Sequence, residues 1–263
     1  MKRFFDDVKK FKNYVSYSVR SELKAEVAGS FLSWLWWILD PLLYMLVYSF
    51  IAMLVFRSGE PYFPVFVFIG LNCWQFFSKT VKASVRLVAG KKNIVTKVYI
   101  PKHMFILEKM GVYGFKMMVS FALTALFMVF YRVPIDWFII LMIPIFVLLF
   151  IITFAVSIII MHFGVFIEDL LNVINVVLQL GFYVSGIFYS IENRLADKYG
   201  LLADILTNCN PIALIVTDLR SVIMGTGELH LAALTVWTVL GLAVSVIGIR
   251  TVYKFENSYV KII

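Results

Sequence analysis

Glu168, Asn172, Asn175, Gln179, Phe182, Gly186 and Tyr189 are spaced four, three, four, three, four and three apart. At 100° per residue they share one stripe of a helix, and most of their neighbours are apolar. Lipid penalises amides that face it, so the stripe must point inward. Amides exchange hydrogen bonds with hydroxyls, and ring faces stack on the C–H faces of pyranoses, so such a wall suits a sugar-like solute. The same amides could instead tie helices together, and both uses can coexist at a dimer interface. A companion stripe, Trp34, Trp37, Pro41, Tyr44 and Tyr48, lies earlier in the chain. Trp34 and Trp37 fit an aromatic belt at a membrane surface. Tyr44 and Tyr48 fall near mid-membrane, where their hydroxyls need partners, which favours a lumen or a subunit interface.

Groups able to do covalent chemistry are sparse. His103, His162 and His230 fall in different connections or span ends, and none pairs with a carboxylate at metal-ligand spacing. There is no nucleophile elbow and no Gly-rich phosphate loop. The chain is therefore expected to be no enzyme and to carry no metal and no cofactor of its own. Cys73 and Cys209 make neither a disulfide framework nor a redox site. Buried ionisable relays, which ion-coupled transport generally needs, are also missing. Glu108, Lys109 and Lys116 come early in an apolar run near the cytoplasmic surface, and Asp40 is the one carboxylate well inside the first run. An external energy source is implied.

The elements that must position these stripes follow from composition. Of 263 residues, 62% are hydrophobic and 15% charged, with a mean hydropathy of +0.90. Soluble domains run near 45–50% and about 25%. The excess apolar surface must face lipid, which disfavours soluble enzymes, disulfide scaffolds, nucleic-acid modules and disordered tails. Apolar runs at 34–56, 63–78, 110–130, 135–161, 170–191 and 231–249 read as six spans, the second extended by further helix. Pro144 predicts a tilt or kink in the fourth. The chain reads as one transmembrane domain over 1–263, with a cytoplasmic segment 1–33, a bundle 34–252 and a cytoplasmic tail 253–263. No short apolar run closely follows the basic N-terminus, which argues against a cleaved signal peptide.

Seven Lys and Arg precede the first span, and seven more lie between Lys79 and Met104, whereas the first and third connections hold only Arg57 and Arg132. By the positive-inside rule both termini and the second connection are cytoplasmic. The same distribution explains the net charge of +8 without nucleic acid. Phe11, Val15, Val19, Leu23 and Val27 recur every four residues opposite charged ones. That pattern predicts an amphipathic helix in the membrane interface or, alternatively, one packed on a partner protein. Segment 192–230 has short apolar runs broken by Asn208, Asn210, Pro211, Asp218 and Arg220. Two short extracytoplasmic helices dipping back toward the membrane would fit it.

Several local motifs occur in order along these spans. The first span reads GSFLSWLWWILDPLLYMLVYSF from Gly29, and the second contains FPVFVFIGLNCWQFF with Gly70, Trp74 and Phe77. A basic, Pro-containing stretch, KKNIVTKVYIPKHM, follows from Lys91. Later come Glu168–Asp169–Leu170, Gly186–Ile187–Phe188–Tyr189, Asn210–Pro211 and Arg220. Together these resemble the permease subunits of type-2 ABC exporters, in the branch that exports O-antigen, capsule and teichoic-acid polymers. Glu168 departs from the Arg common in that family, and the role of that Arg is not carried over.

The resemblance implies an all-α membrane protein with six transmembrane helices, an N-terminal amphipathic interface helix and short extracytoplasmic gate helices between spans five and six. It implies a homodimer in the cytoplasmic (inner) membrane, paired with two copies of an ABC ATPase subunit that bind ATP and Mg. The substrate would be a lipid-linked polysaccharide. Trp37, Tyr44, Tyr48, Asn172, Asn175, Gln179, Phe182 and Tyr189 would line its pathway. Asn93, Lys97, Tyr99, Pro101, Lys102 and His103 would couple to the ATPase, unless that stretch is simply a basic loop obeying the positive-inside rule. Asn210, Pro211 and Arg220 would belong to the extracytoplasmic gate. A type-2 exporter of a drug, lipid or peptide is one alternative. A membrane-embedded transferase acting on a lipid-linked sugar, or a structural membrane anchor, belongs to another class.

Overall fold

The computed structural model describes residues 2–28, 32–51, 61–134, 136–225 and 227–262, and leaves aside the side chains of 33, 192–199, 202, 260 and 261. Residues 29–31 of the opening motif and Arg57 lie outside the described residues. Every regular element among those described is helical: α1 (Lys2–Val27), α2 (Trp36–Ile51), α3 (Phe63–Val85), α4 (Leu87–Gly90), α5 (Lys92–Val95), α6 (His103–Phe130), α7 (Met142–Phe166), α8 (Leu170–Val184), α9 (Ile191–Cys209), α10 (Pro211–Ile223) and α11 (Leu231–Ile262). Short 3-10 turns at Ser33–Leu35 and Trp137–Leu141 lead into α2 and α7.

Among the described residues, three helical stretches are long and apolar enough to cross a bilayer: His103–Phe130, Trp137–Phe166 and Leu231–Tyr259. The helix α8 is apolar but has only 15 residues, and the described part of α2 has 16, the end of the expected first span (52–56) lying outside the described residues. At 1.5 Å per residue α8 reaches about 22 Å, against a hydrocarbon thickness of about 30 Å. The expected fifth span stops early because Gly186 turns the chain out of the helix at φ +64. A Cβ there would lie 2.8 Å from the Ile191 side chain, so sterics and backbone both require glycine.

The centre of the bundle is α3, nearly all of whose side chains from Phe63 to Val85 are buried. A helix apolar on most sides has to be enclosed, and α2, α6, α7, α8 and α10 enclose it. The closest approach comes at Gly164 of α7, where an added Cβ would sit 2.0 Å from the Val85 carbonyl oxygen. Pro144 occupies the first turn of α7, where a missing N–H costs the helix nothing, so its presence requires no kink. The expected C-terminal tail continues α11 as helix to Ile262.

Helix α1 forms where the four-residue repeat predicted it, and its apolar face packs against α6, with Leu23 buried and Phe11, Val15, Val19 and Val27 half-buried. Val19 packs on Gly111, and Tyr14 meets the ring of Phe105. Charges secure the same seam: Lys109 pairs with Glu22, and Lys116 with Glu26 at 2.6 Å. These two lysines, expected simply near the cytoplasmic surface, fasten α1 along the first half of α6.

Candidate functional site

A groove of about 430 Å³ opens between α2, α3 and α8. This lies within the few-hundred to roughly 1,000 Å³ typical of small-molecule sites. Tyr44 and Tyr48 line it from α2, and Asn175, Gln179, Phe182 and Tyr183 from α8. The Tyr44 and Tyr48 rings stack with centroids 6.2 Å apart, and Tyr48 meets Phe188 at 4.9 Å. Five of the expected pathway residues therefore share one cavity wall: Tyr44, Tyr48, Asn175, Gln179 and Phe182.

The other three are placed elsewhere. Trp37 stands edge-on to Phe115 of α6 at 5.3 Å, outside the groove lining. Asn172 is exposed on α8, one turn before Asn175 and away from the lining. Tyr189 lies beyond the Gly186 turn and donates its hydroxyl to the Tyr183 carbonyl at 3.0 Å. The 3.6-residue period that joined it to the stripe ends with α8, before Tyr189 is reached.

Sequence reasoning missed the wall supplied by α3: Leu71, Trp74, Gln75, Ser78, Lys79 and Lys82. These are spaced three, one, three, one and three, which is one helical stripe. The signal was present, but Lys79 and Lys82 were absorbed into the charge count that set sidedness. Gln75 accepts a hydrogen bond from the Lys79 ammonium at 3.1 Å. Trp74 faces Phe182 across the groove, with ring centroids 5.8 Å apart. Gly181 lets α8 approach that indole, since a Cβ would be 2.9 Å from it. The lining thus combines ring faces, amides, hydroxyls and two ammonium groups.

The expected coupling residues divide into an outward and an inward set. Asn93, Lys97 and Tyr99 are exposed, whereas Pro101, Lys102 and His103 are buried. The Arg3 guanidinium donates to the Tyr99 hydroxyl at 2.7 Å and to Glu256 at 3.0 Å, and Tyr99 donates to Glu256 at 3.0 Å. Burial, together with its bond to Glu256, pushes the Tyr99 phenol above its ordinary range. Tyr253 donates to Asp7 at 2.5 Å, and the Arg3 guanidinium lies 4.1 Å from the centre of its ring. His103 is wedged between Phe4 and Tyr253 at 5.0 and 5.3 Å. Burial pushes the Lys102 ammonium below its ordinary range, with Glu256 acting against that. The segment is therefore clasped between the start of α1 and the end of α11, and only its outer half is open to a partner.

The expected gate residues join α10 to the turn after α8. Asn210 caps α10 by accepting from the Ile212 and Ala213 amides at 3.1 and 3.3 Å, and Pro211 fills the first helical position. The Asn210 side-chain amide donates to the Ser185 hydroxyl at 3.0 Å. Arg220, buried at the other end of α10, donates to the carbonyls of Phe66, Gly186 and Ile187 at 3.0, 2.8 and 2.7 Å. Its guanidinium also lies 3.5 Å from the centroid of the Phe66 ring. Asp218 is buried and meets His230 Nδ1 at 2.7 Å. Burial raises that carboxyl above its ordinary range, and the bonds to His230 act against it. His162 contacts the Tyr259 hydroxyl at 2.6 Å, so each of the three histidines serves packing between helices.

An all-helical multi-pass membrane protein with a mixed aromatic and polar groove is the class these features define. Over 245 residues, 92% of either chain, the protein is 25% identical to two O-antigen export system permease proteins RfbA of Klebsiella pneumoniae. It is 25% identical over 222 residues, 84% of either chain, to the protein of the same name from Myxococcus xanthus. No family model matches the chain. The similarity to export permeases agrees with the resemblance drawn from the motifs, and it extends over nearly the whole protein.

Proposed function

We propose that the chain is the membrane-spanning subunit of an ATP-driven exporter that moves a lipid-linked polysaccharide across the cytoplasmic membrane. The observation that carries this reading is the groove between α2, α3 and α8. Tyr44, Tyr48 and Trp74 offer ring faces there, while Gln75, Asn175 and Gln179 offer amides. Many weak, interchangeable contacts of this kind let a long glycan advance without a deep trap. A smooth apolar cavity would instead suit a drug or a lipid.

Two copies of the chain would work with two ATPase subunits, with both termini cytoplasmic and six passages of the membrane. The exposed Asn172 and its apolar neighbours Val173, Val176 and Leu180 support a second copy, because lipid would penalise the amide. The outer half of the coupling segment, with Asn93, Lys97 and Tyr99, would dock on the ATPase. The helices α9 and α10 would form the extracytoplasmic gate. In cells dependent on this permease, Tyr44→Ala, Trp74→Ala and Gln179→Ala should each slow surface polysaccharide export and leave membrane assembly intact. Normal export in all three would remove the groove from the pathway.

A further inference from the structure

A second cleft, of about 490 Å³, lies where α1 crosses α6 and shares no lining residue with the groove between α2, α3 and α8. Gly111 and Gly114 remove two side chains from the face of α6 that α1 covers, and Val19 rests on the first of them. Leu23 of α1, Met110, Phe115 and Met118 of α6 and Phe150 of α7 make the walls apolar. Phe115, Met118 and Phe150 are exposed, so the cleft opens sideways from the bundle. Lys109 immediately precedes the expected third span, and Val19 meets Gly111, so Val19 and Arg20 stand where that span begins.

Among the described residues, the one charged side chain in this lining is Arg20. Lys12, Ser16, Arg20 and Lys24 are spaced four apart and follow one edge of α1, with about 6 Å along the axis from one to the next. The three basic residues are exposed, and none is within ion-pair distance of a carboxylate among the described residues. Residues two apart on a helix point about 160° away from each other, which puts Glu22 and Glu26 across α1 from Arg20 and Lys24. Both acids are taken up by α6, through Lys109 and Lys116. Helix α1 thus turns its acids onto α6 and leaves its bases along the rim of an apolar cleft.

That combination selects a lipid over a peptide. A helix is about 10–12 Å across, so two turns of one displace roughly 900–1,200 Å³, about twice the cleft. A single hydrocarbon chain is far slimmer and leaves no polar backbone to satisfy. A guanidinium can give a phosphate two parallel hydrogen bonds, and Arg and Lys stems lie along apolar surface while their charged heads stay in the polar layer. Each basic residue held near an anionic membrane surface strengthens attachment roughly fivefold.

We propose that the cleft between α1 and α6 binds an anionic phospholipid of the leaflet that α1 enters, with one acyl chain over Gly111 and Gly114 and the phosphate on Arg20. Lys24, one turn further on, holds the second negative partner of a doubly charged headgroup or simply adds to the field. The bound lipid forms part of the seam between α1 and the bundle, and its occupancy is independent of what the permease carries.

The test places the full-length protein in phosphatidylcholine nanodiscs with a trace of phosphatidylglycerol bearing a diazirine on its acyl chain. A phosphatidylcholine probe with the same chain is run in parallel. Label on residues 110–118 is read relative to the exposed stretch 236–247 of α11, which reports ordinary contact with bulk lipid. The phosphatidylglycerol probe should label 110–118 at least tenfold more than the phosphatidylcholine probe, and Arg20→Gln with Lys24→Gln should bring the two to parity. Ser16→Trp and Met118→Trp, both at exposed rim positions, should fill the cleft and remove the label with the thermal melt unchanged. Equal labelling by the two probes in the wild type overturns the anionic class. Label within twofold of wild type in the Gln variant overturns the headgroup site, as does an equal loss in Lys10→Gln, an exposed lysine outside the cleft lining. Met118→Cys chains that join to each other as a disulfide, with Cys209 replaced by serine, would show a second copy of the chain in the cleft and overturn the lipid.

Discussion

Replacing Arg220 with methionine should loosen α10 from α3. The substitution keeps much of the side-chain volume and removes donors to three main-chain carbonyls, two of them in the Gly186–Ile187 turn. Hydrogen bonds from a charged donor contribute about 1.5–3 kcal/mol each, and a buried acceptor left without a partner costs about 1–3 kcal/mol. A desolvated contact between a cation and a ring, here over Phe66, adds about 2 kcal/mol. These terms overlap, because the Phe66 carbonyl lies within α3, so a net loss of about 3–5 kcal/mol is expected. At 1.4 kcal/mol per decade, the docking of α10 becomes less favourable by roughly a hundredfold to a few thousandfold.

Cys73 reports on that docking. It is fully buried one turn along α3 from Gly70, the residue against which the Arg220 guanidinium packs. Cys209 is exposed and would be replaced by serine first. In that background the rate of maleimide reaction at Cys73 should rise by about the same factor as α10 opens, with Arg220→Lys intermediate. A rate within threefold of the parent, with an unchanged thermal melt, would refute the reasoning.

Gly164→Ala should lower thermal stability by several kcal/mol, above the usual 1–3 kcal/mol for overpacking, since its Cβ would meet the Val85 main chain rather than a movable side chain. A melt of the purified protein in detergent checks this. Exchanging the charges of Glu22 and Lys109 should restore most of what either single reversal loses, with a coupling of about 1 kcal/mol in a double-mutant cycle. Asp218 has a carboxyl raised by burial, so its contribution to stability is full at acid pH and is lost as pH climbs through the raised value. Asp218→Asn should flatten that part of the stability–pH profile.

The helices themselves were largely legible from the sequence, since period and apolar length depend on local pattern. The α1 repeat located its helix correctly, yet nothing in a four-residue period says which surface will cover the apolar face. That answer depended on Gly111 and on lysines eighty-seven and ninety residues away from Glu22 and Glu26. In the groove, the α2 and α8 walls were readable because polar residues stand out in apolar runs. The α3 wall was not, because its lysines had an ordinary explanation as topogenic charge. Tyr189 was misplaced because a wheel projection assumes an unbroken helix, and Gly186 breaks it. Asn210–Pro211 carried a plain helix-start signal in its residue types, and its side-chain bond to Ser185 required the fold.

The brevity of α8 bears on the lipid around it. This helix of 15 residues flanks the groove, while the helix pair α7 and α11 is far longer. A bilayer meeting such a short apolar edge must thin, or let water dip inward, at a cost of fractions of a kcal/mol per ångström of mismatch. The hydrophobic barrier beside α8 is then several ångströms thinner than along α7 and α11.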